Sequence, residues 1–215
     1  LLFTSTVSSN GIGEISELRG IGEITRQNSN EALLAELASD IFSFDDVRTG
    51  NGRMAIQFLD SSVLKLTEHS KVIIDDFIYN AGSPDTSKLV LNMASGTARF
   101  ITGALGKINK ENISIRTPSA SIAIRGTDLT CTIDELGRSL IILLPDEDGN
   151  SSGEITVTTW AGTEVLNKPF QATMVSTFES RPTKAVILDN LTLNLIDNML
   201  IVNKPPAIVQ AEAEQ

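Results

Sequence analysis

The chain has 215 residues, 41% apolar and 20% charged, enough to bury a core as one domain with a small appendage. With 17 basic against 27 acidic residues it carries a net charge of −10, which argues against binding to nucleic acid or adsorption to an anionic membrane. A single cysteine, Cys131, rules out an intrachain disulfide, and no apolar run reaches the roughly 18 residues that a membrane helix needs.

The opening Leu1-Leu2-Phe3 is too short for the core of a signal peptide, and the chain begins without methionine, so a leader removed earlier or a late start is expected. An internal echo follows. Gly11-Ile12-Gly13-Glu14-Ile15-Ser16 returns nine residues later as Gly20-Ile21-Gly22-Glu23-Ile24-Thr25. That is the spacing of one strand plus a tight turn. The Gly-x-Gly within it lacks the third glycine and the helix of a dinucleotide site, so it reads as successive turns. Residues 29–38 predict a short helix: Ser29 caps it, Glu31 lies in its first turn, and Leu33, Leu34 and Leu37 share a face.

Beyond the Gly50-Asn51-Gly52 turn, apolar residues alternate with polar ones. The set includes Met54/Ile56/Phe58, Leu64/Leu66, Val72/Ile74, Leu89/Leu91/Met93, Ile113/Ile115, Ile122/Ile124, Leu140 to Leu144, Ile155/Val157 and Phe170/Ala172/Met174. Turn signals such as Asp60-Ser61-Ser62, Asn80 to Asp85 and Ser95-Gly96-Thr97 separate them. Period-two strands with turns at this spacing predict an all-β fold, an antiparallel sandwich or a solenoid-like stack, with one helix at 29–38. The stretch 183–203 fits either element. Leu191, Leu193 and Leu195 alternate as in a strand, while Val186, Leu188, Leu191, Leu195 and Met199 also share a helical face. We therefore divide the chain into a β domain, 1–182, and a C-terminal docking segment and tail, 183–215.

One stretch interrupts a good strand. Ile122 and Ile124 face inward on even positions, Leu129, Cys131 and Ile133 on odd ones, and the parity changes across Arg125-Gly126-Thr127-Asp128. An inserted residue with glycine at the change marks a bulge or a corner between sheets. Gly126 supplies a conformation costly to other residues, Arg125 a fork of donors for loop carbonyls or a carboxylate, and Asp128 an acceptor for the amides of the bend.

The same residues carry a family resemblance. Ile115 to Leu129 resembles the "T-P-x-A … R-G-T-x-(F/L)" hallmark of the FecR domain family. Asp46 to Ile56 resembles its "D-x-(I/V)-x-T-G-x-x-G-R-A-x-(I/L)" segment, and Phe58 to Leu64 its "L-x-D-G-S-x-(I/L)" turn, with Ser61 where glycine is usual. The glycine echo and Ser95-Gly96-Thr97-Ala98 extend the likeness, which covers roughly residues 10–135. It implies a β-strand-rich module without catalytic residues. In bacterial iron-uptake regulators such a module lies in the periplasm, between a cytoplasmic anti-sigma segment with a membrane helix and a receptor-facing piece. It also implies that similar modules serve in envelope and phage-encoded proteins.

Catalytic and ligand constellations are weak. Cys131 falls on an inward position and reads as a small core residue, His69 as a turn residue, and one of each makes neither a nucleophilic pair nor a zinc site. Asp146-Glu147-Asp148-Gly149-Asn150 is an acidic hairpin tip whose glycine and closing acid are out of register for calcium. The adjacent pairs Asp45-Asp46 and Asp75-Asp76 point to opposite faces of an extended chain, which does not suit paired-carboxylate chemistry. Trp160 at a strand end, with Leu191, Leu193 and Leu195, is a candidate interaction residue. We therefore expect a non-enzymatic structural or interaction protein without a cofactor. It would work by protein contact, as a homo-oligomer, in the assembly of an envelope or virion complex. An extracytoplasmic signal-sensing domain of an anti-sigma-type regulator is the alternative.

Overall fold

The computed structural model describes residues 11–29, 31–80, 82–83, 86–104, 112–189, 191, 210–211 and 213. Among the described residues seventeen strands join one hydrogen-bonded network that folds into two layers, so the fold is all-β. The first layer runs in the order β4 (Asp40–Ile41), β1 (Gly13–Arg19), β6 (Arg53–Phe58), β7 (Val63–Leu66), β9 (Lys88–Ile101), β12 (Asp128–Ile133), β13 (Ser139–Leu143), β16 (Gln171–Val175) and β17 (Val186–Ile187). Every pairing in it is antiparallel. The second layer runs β3 (Ala32–Leu34), β2 (Gly22–Thr25), β5 (Asp46–Thr49), β8 (Lys71–Ile78), β9, β10 (Ile113–Arg116), β11 (Ser121–Arg125), β14 (Glu154–Thr159) and β15 (Gly162–Leu166). Only β9 and β10 pair in parallel.

Strand β9 belongs to both layers. Its first half pairs with β8 and β10, its second with β7 and β12, and Gly96 lies at the change with φ +85°. The expected turn at Ser95 to Thr97 is thus a fold within one 14-residue strand. Ser70 fixes the bend by donating its hydroxyl to the Thr97 carbonyl (3.1 Å) and accepting the Thr97 N–H (3.1 Å). A Cβ on Gly96 would stand 2.3 Å from Ser70 Oγ and 2.5 Å from Ser70 Cα, which leaves no room for any other residue.

The inward faces of the two layers close over one core, which includes Ile56, Leu64, Phe100, Leu129 and Cys131 from the first and Val47, Ile74, Leu91, Ile122 and Val157 from the second. Alternation fails in β13, where all five residues are buried, because its outer face is covered as well. Leu140, Ile142 and Leu144 form a second, smaller cluster there with Ala172, Met174 and Leu188. Leu188 and the partly buried Val186 and Leu191 come from the expected docking segment, whose first residues lie along β16. Thr173 donates to the Thr183 carbonyl (2.6 Å) within that seam.

The predicted helix at 29–38 is not formed. Ala32–Leu34 is strand β3, paired with Thr25, Ile24 and Glu23 of β2. The amide of Ala35 continues the ladder to the Gly22 carbonyl, and Ala38 is left-handed at φ +62°. A ten-residue helix is marginal by itself, and pairing with a waiting strand satisfies the same backbone groups with less to nucleate. Ser29 does bond the Glu31 amide as a cap would (3.1 Å), but as a local turn that leads into the strand.

Candidate interaction surfaces

Arg125 ends β11 in one layer and Asp128 opens β12 in the other, so the four residues between the layers make a corner, with Gly126 at φ +59°. Thr102, just after β9, donates its hydroxyl to the Thr127 carbonyl (2.7 Å) and accepts the Thr127 amide (3.1 Å). Asp128 donates its amide to Ser152 Oγ (2.9 Å), and its carboxylate takes both arms of Arg99 (3.0 and 2.7 Å). The Arg125 side chain is exposed and meets no carboxylate or carbonyl among the described residues. A Cβ on Gly153 would stand 2.2 Å from the Arg125 carbonyl, so the β14 approach fills the space behind the corner.

The groups that carry chemistry do not converge. Cys131 is completely buried and burial pushes its thiol up to about 12, which keeps it protonated and inert, while His69 is an exposed residue of the β7–β8 corner. Asp45 and Asp46 serve different cations. Burial raises Asp45 despite the Phe42 amide and Arg26, whereas burial of Asp46 is outweighed by Arg48 and Lys71, which hold it low. Asp75 meets Arg116 (3.2 Å) and Asp76 meets Lys88 (3.6 Å). In the acidic tip, Asp146 turns inward to accept the Asp148 and Asn150 amides (3.0 and 2.8 Å). Among the described residues no three His, Cys, Asp or Glu side chains are placed to hold a metal ion, and no helix is long and apolar enough to cross a membrane.

A groove of about 560 Å³ runs over the outer face of the first layer, lined by Glu17, Arg19, Arg53, Lys65, Arg99 and Leu37 among others. Three of its four cations face carboxylates: Arg53 meets Glu68 (2.9 Å), Lys65 meets Glu17 (3.7 Å) and Arg99 meets Asp128. Arg19 adds a fourth cation, so the walls are net basic, and they hold no cysteine or histidine.

Two apolar surfaces stand out. Trp160 is 78% exposed on the β14–β15 turn, tilted against Phe178 at 5.6 Å, and its amide donates to the Phe178 carbonyl (2.9 Å). Leu193 and Leu195 lie outside the described residues. The other surface was hidden from the sequence by the helical reading of 29–38. All three residues of β3 are exposed, with Leu33 at 47% and Leu34 at 71%, and Leu37, which lines the groove, and Ile21, just before β2, are exposed too, at 65% and 59%. Three leucines at helical spacing are equally the exposed flank of an edge strand, and only the pairing with β2 tells the two apart.

Residues 45–145, from the start of β5 to the end of β13, match the family model described as FecR protein. No curated protein matches the chain. Two crystal structures of a "putative anti-sigma factor" from Parabacteroides distasonis ATCC 8503 are similar to it, each at 13% identity and a TM-score of 0.48 over 64% of this chain. The chain spans 57% of the length of those proteins. The family match corrects one expectation: it points to a regulatory domain and not to a structural component of a virion.

Proposed function

The chain carries a FecR-like domain, and from that premise we propose that it is the β module of an extracytoplasmic anti-sigma-type regulator, a non-enzymatic protein that senses a signal by binding another protein. The observation that carries this is the match over 45–145, which takes in the β9 fold and the Arg125 to Asp128 corner, two of the places where the chain passes between the layers. The dispersed carboxylates and the inert thiol support contact over chemistry. We keep the β domain at 1–182 and the docking segment at 183–215, whose described residues Thr183 and Val186 to Leu188 lie along β16 and its outer face.

The test is transcription. Deleting the gene, or overproducing its product, should change a set of transcripts that share one sigma-dependent promoter type, and the native gene should restore them. An unchanged transcript profile in both strains rejects the reading.

A further inference from the structure

We infer that β3 accepts an extended, basic strand from a protein partner, which lengthens the second layer by backbone pairing. The inference rests on the regulator reading for its context and names the chemistry of the partner. The four strands at the margins of the sandwich are treated differently. β4 and β17 are two residues each, too short to template a neighbour. β15 is shielded by the loop before β17, where Ala185 donates its amide to Glu164 Oε1 (2.8 Å) and Arg181 donates Nε to the Ala161 carbonyl (3.0 Å). β3 pairs with β2 alone among the described residues.

Its three residues are short for an edge, and the charges beside it are acidic, Glu31 and Glu36. From Glu31 to Ser39 there is no proline, lysine or arginine as a guard. Leu34, opposite Glu23, and Leu33, opposite Ile24, present apolar side chains on the two faces of the edge. An added strand would bury these on alternate side chains while its backbone takes the open donors and acceptors of β3.

Charge selects the partner. Residues 21–40 hold Glu23, Glu31, Glu36 and Asp40 against Arg26 alone, a balance of 1 − 4 = −3. Arg26 is already bound to Asp45 and to the Asp40 carbonyl (2.9 Å). Two copies of this edge would bring like charges together, so a strand bearing lysine or arginine between its apolar residues fits and a second copy does not.

The experiment uses the purified 215-residue chain and a labelled ten-residue peptide of alternating valine and lysine, compared with the same peptide N-methylated at every second amide. The unmodified peptide should bind and slow hydrogen exchange at 32–34. The N-methylated peptide should bind about tenfold more weakly or worse, because it keeps side chains and charge but loses donors. Leu34→Gln should weaken binding by a similar factor, and Trp160→Ala should leave it unchanged. No binding of the unmodified peptide, or equal binding of the methylated one, overturns the inference. A dimer by light scattering that Leu34→Gln returns to monomer also overturns it, in favour of a second copy. None of these readouts depends on transcription, so failure here leaves the regulator reading to its own test.

Discussion

Gly126 stands between the last residue of β11 and the turn into β12, where the chain leaves one layer for the other. The change of parity between Ile124 and Leu129 is visible in the string alone, because a side chain that must face inward cannot skip a position without a bend. The partners of the bend are not visible: Thr102, Ser152 and Arg99 come from other strands, and nothing local announces them. With φ +59°, Gly126→Val should lower the free energy of unfolding by about 2 kcal/mol, since a left-handed residue with a Cβ costs roughly 1–2 kcal/mol and β-branching adds to it. Urea denaturation of the variant checks this, and an unchanged midpoint would mean the corner tolerates a side chain. Ser61 shows the opposite lesson. It stands where the FecR-like pattern has glycine and is still left-handed at φ +66°, with Asp60 flanking it to accept the Ser62 amide (3.0 Å) and hydroxyl (2.7 Å).

At the β12–β13 turn, Asp134 accepts the amides of Leu136 and Arg138 (3.0 and 2.9 Å) and the Arg138 guanidinium (2.6 Å). Burial alone would raise its pKa, but these bonds outweigh burial and lower it from 3.8. A carboxylate lowered on folding adds stability above its unfolded value and loses it as pH falls through the folded one. Asp134→Asn should therefore be less stable than the parent at neutral pH, with the gap closing below about pH 3.8 as the parent protonates. Thermal unfolding across pH 3 to 7 measures the gap, and a constant difference would contradict the ion-pair role.

Among the elements, most strands could be read from alternation, because one face of each meets the core and the other meets water. The exceptions have specific physical causes. β3 was misread because three leucines at helical spacing decide nothing until a partner strand is known. β9 was cut in two because Gly96, a turn signal by composition, bends a strand between layers without ending it. Gly149 separates the two costs hidden in such a residue. Both glycines have positive φ, +85° at Gly96 and +80° at Gly149, but nothing lies within 4 Å of a Cβ at Gly149. Gly149→Ala should cost only the backbone term, about 1 kcal/mol, whereas Gly96→Ala must also displace Ser70 and should cost at least about twice as much. Equal losses in calorimetry would show that Ser70 yields freely.

For the molecule as a whole, composition excluded more than it assigned. A net charge of −10 argues against nucleic acid and one cysteine against an intrachain disulfide, and the spaced FecR-like motifs supplied the family, yet the exposed edge appeared only with the structure. The outer face of β13 and β16 was equally unreadable, since a strand buried on both sides looks like a plain apolar run. Removing 183–215 should uncover Leu140, Ile142 and Leu144, lower the unfolding midpoint and raise binding of a hydrophobic dye. A truncated chain with the parent's midpoint would place the second cluster outside the folding unit.

The claim that this β module works by binding another protein is tested most directly by a photo-crosslinking residue placed at position 34 in living cells, with position 179 as an exposed control. The expected result is an adduct with one other protein from position 34 and none from 179. Adducts only between copies of this chain, or equal labelling from both positions, would contradict it.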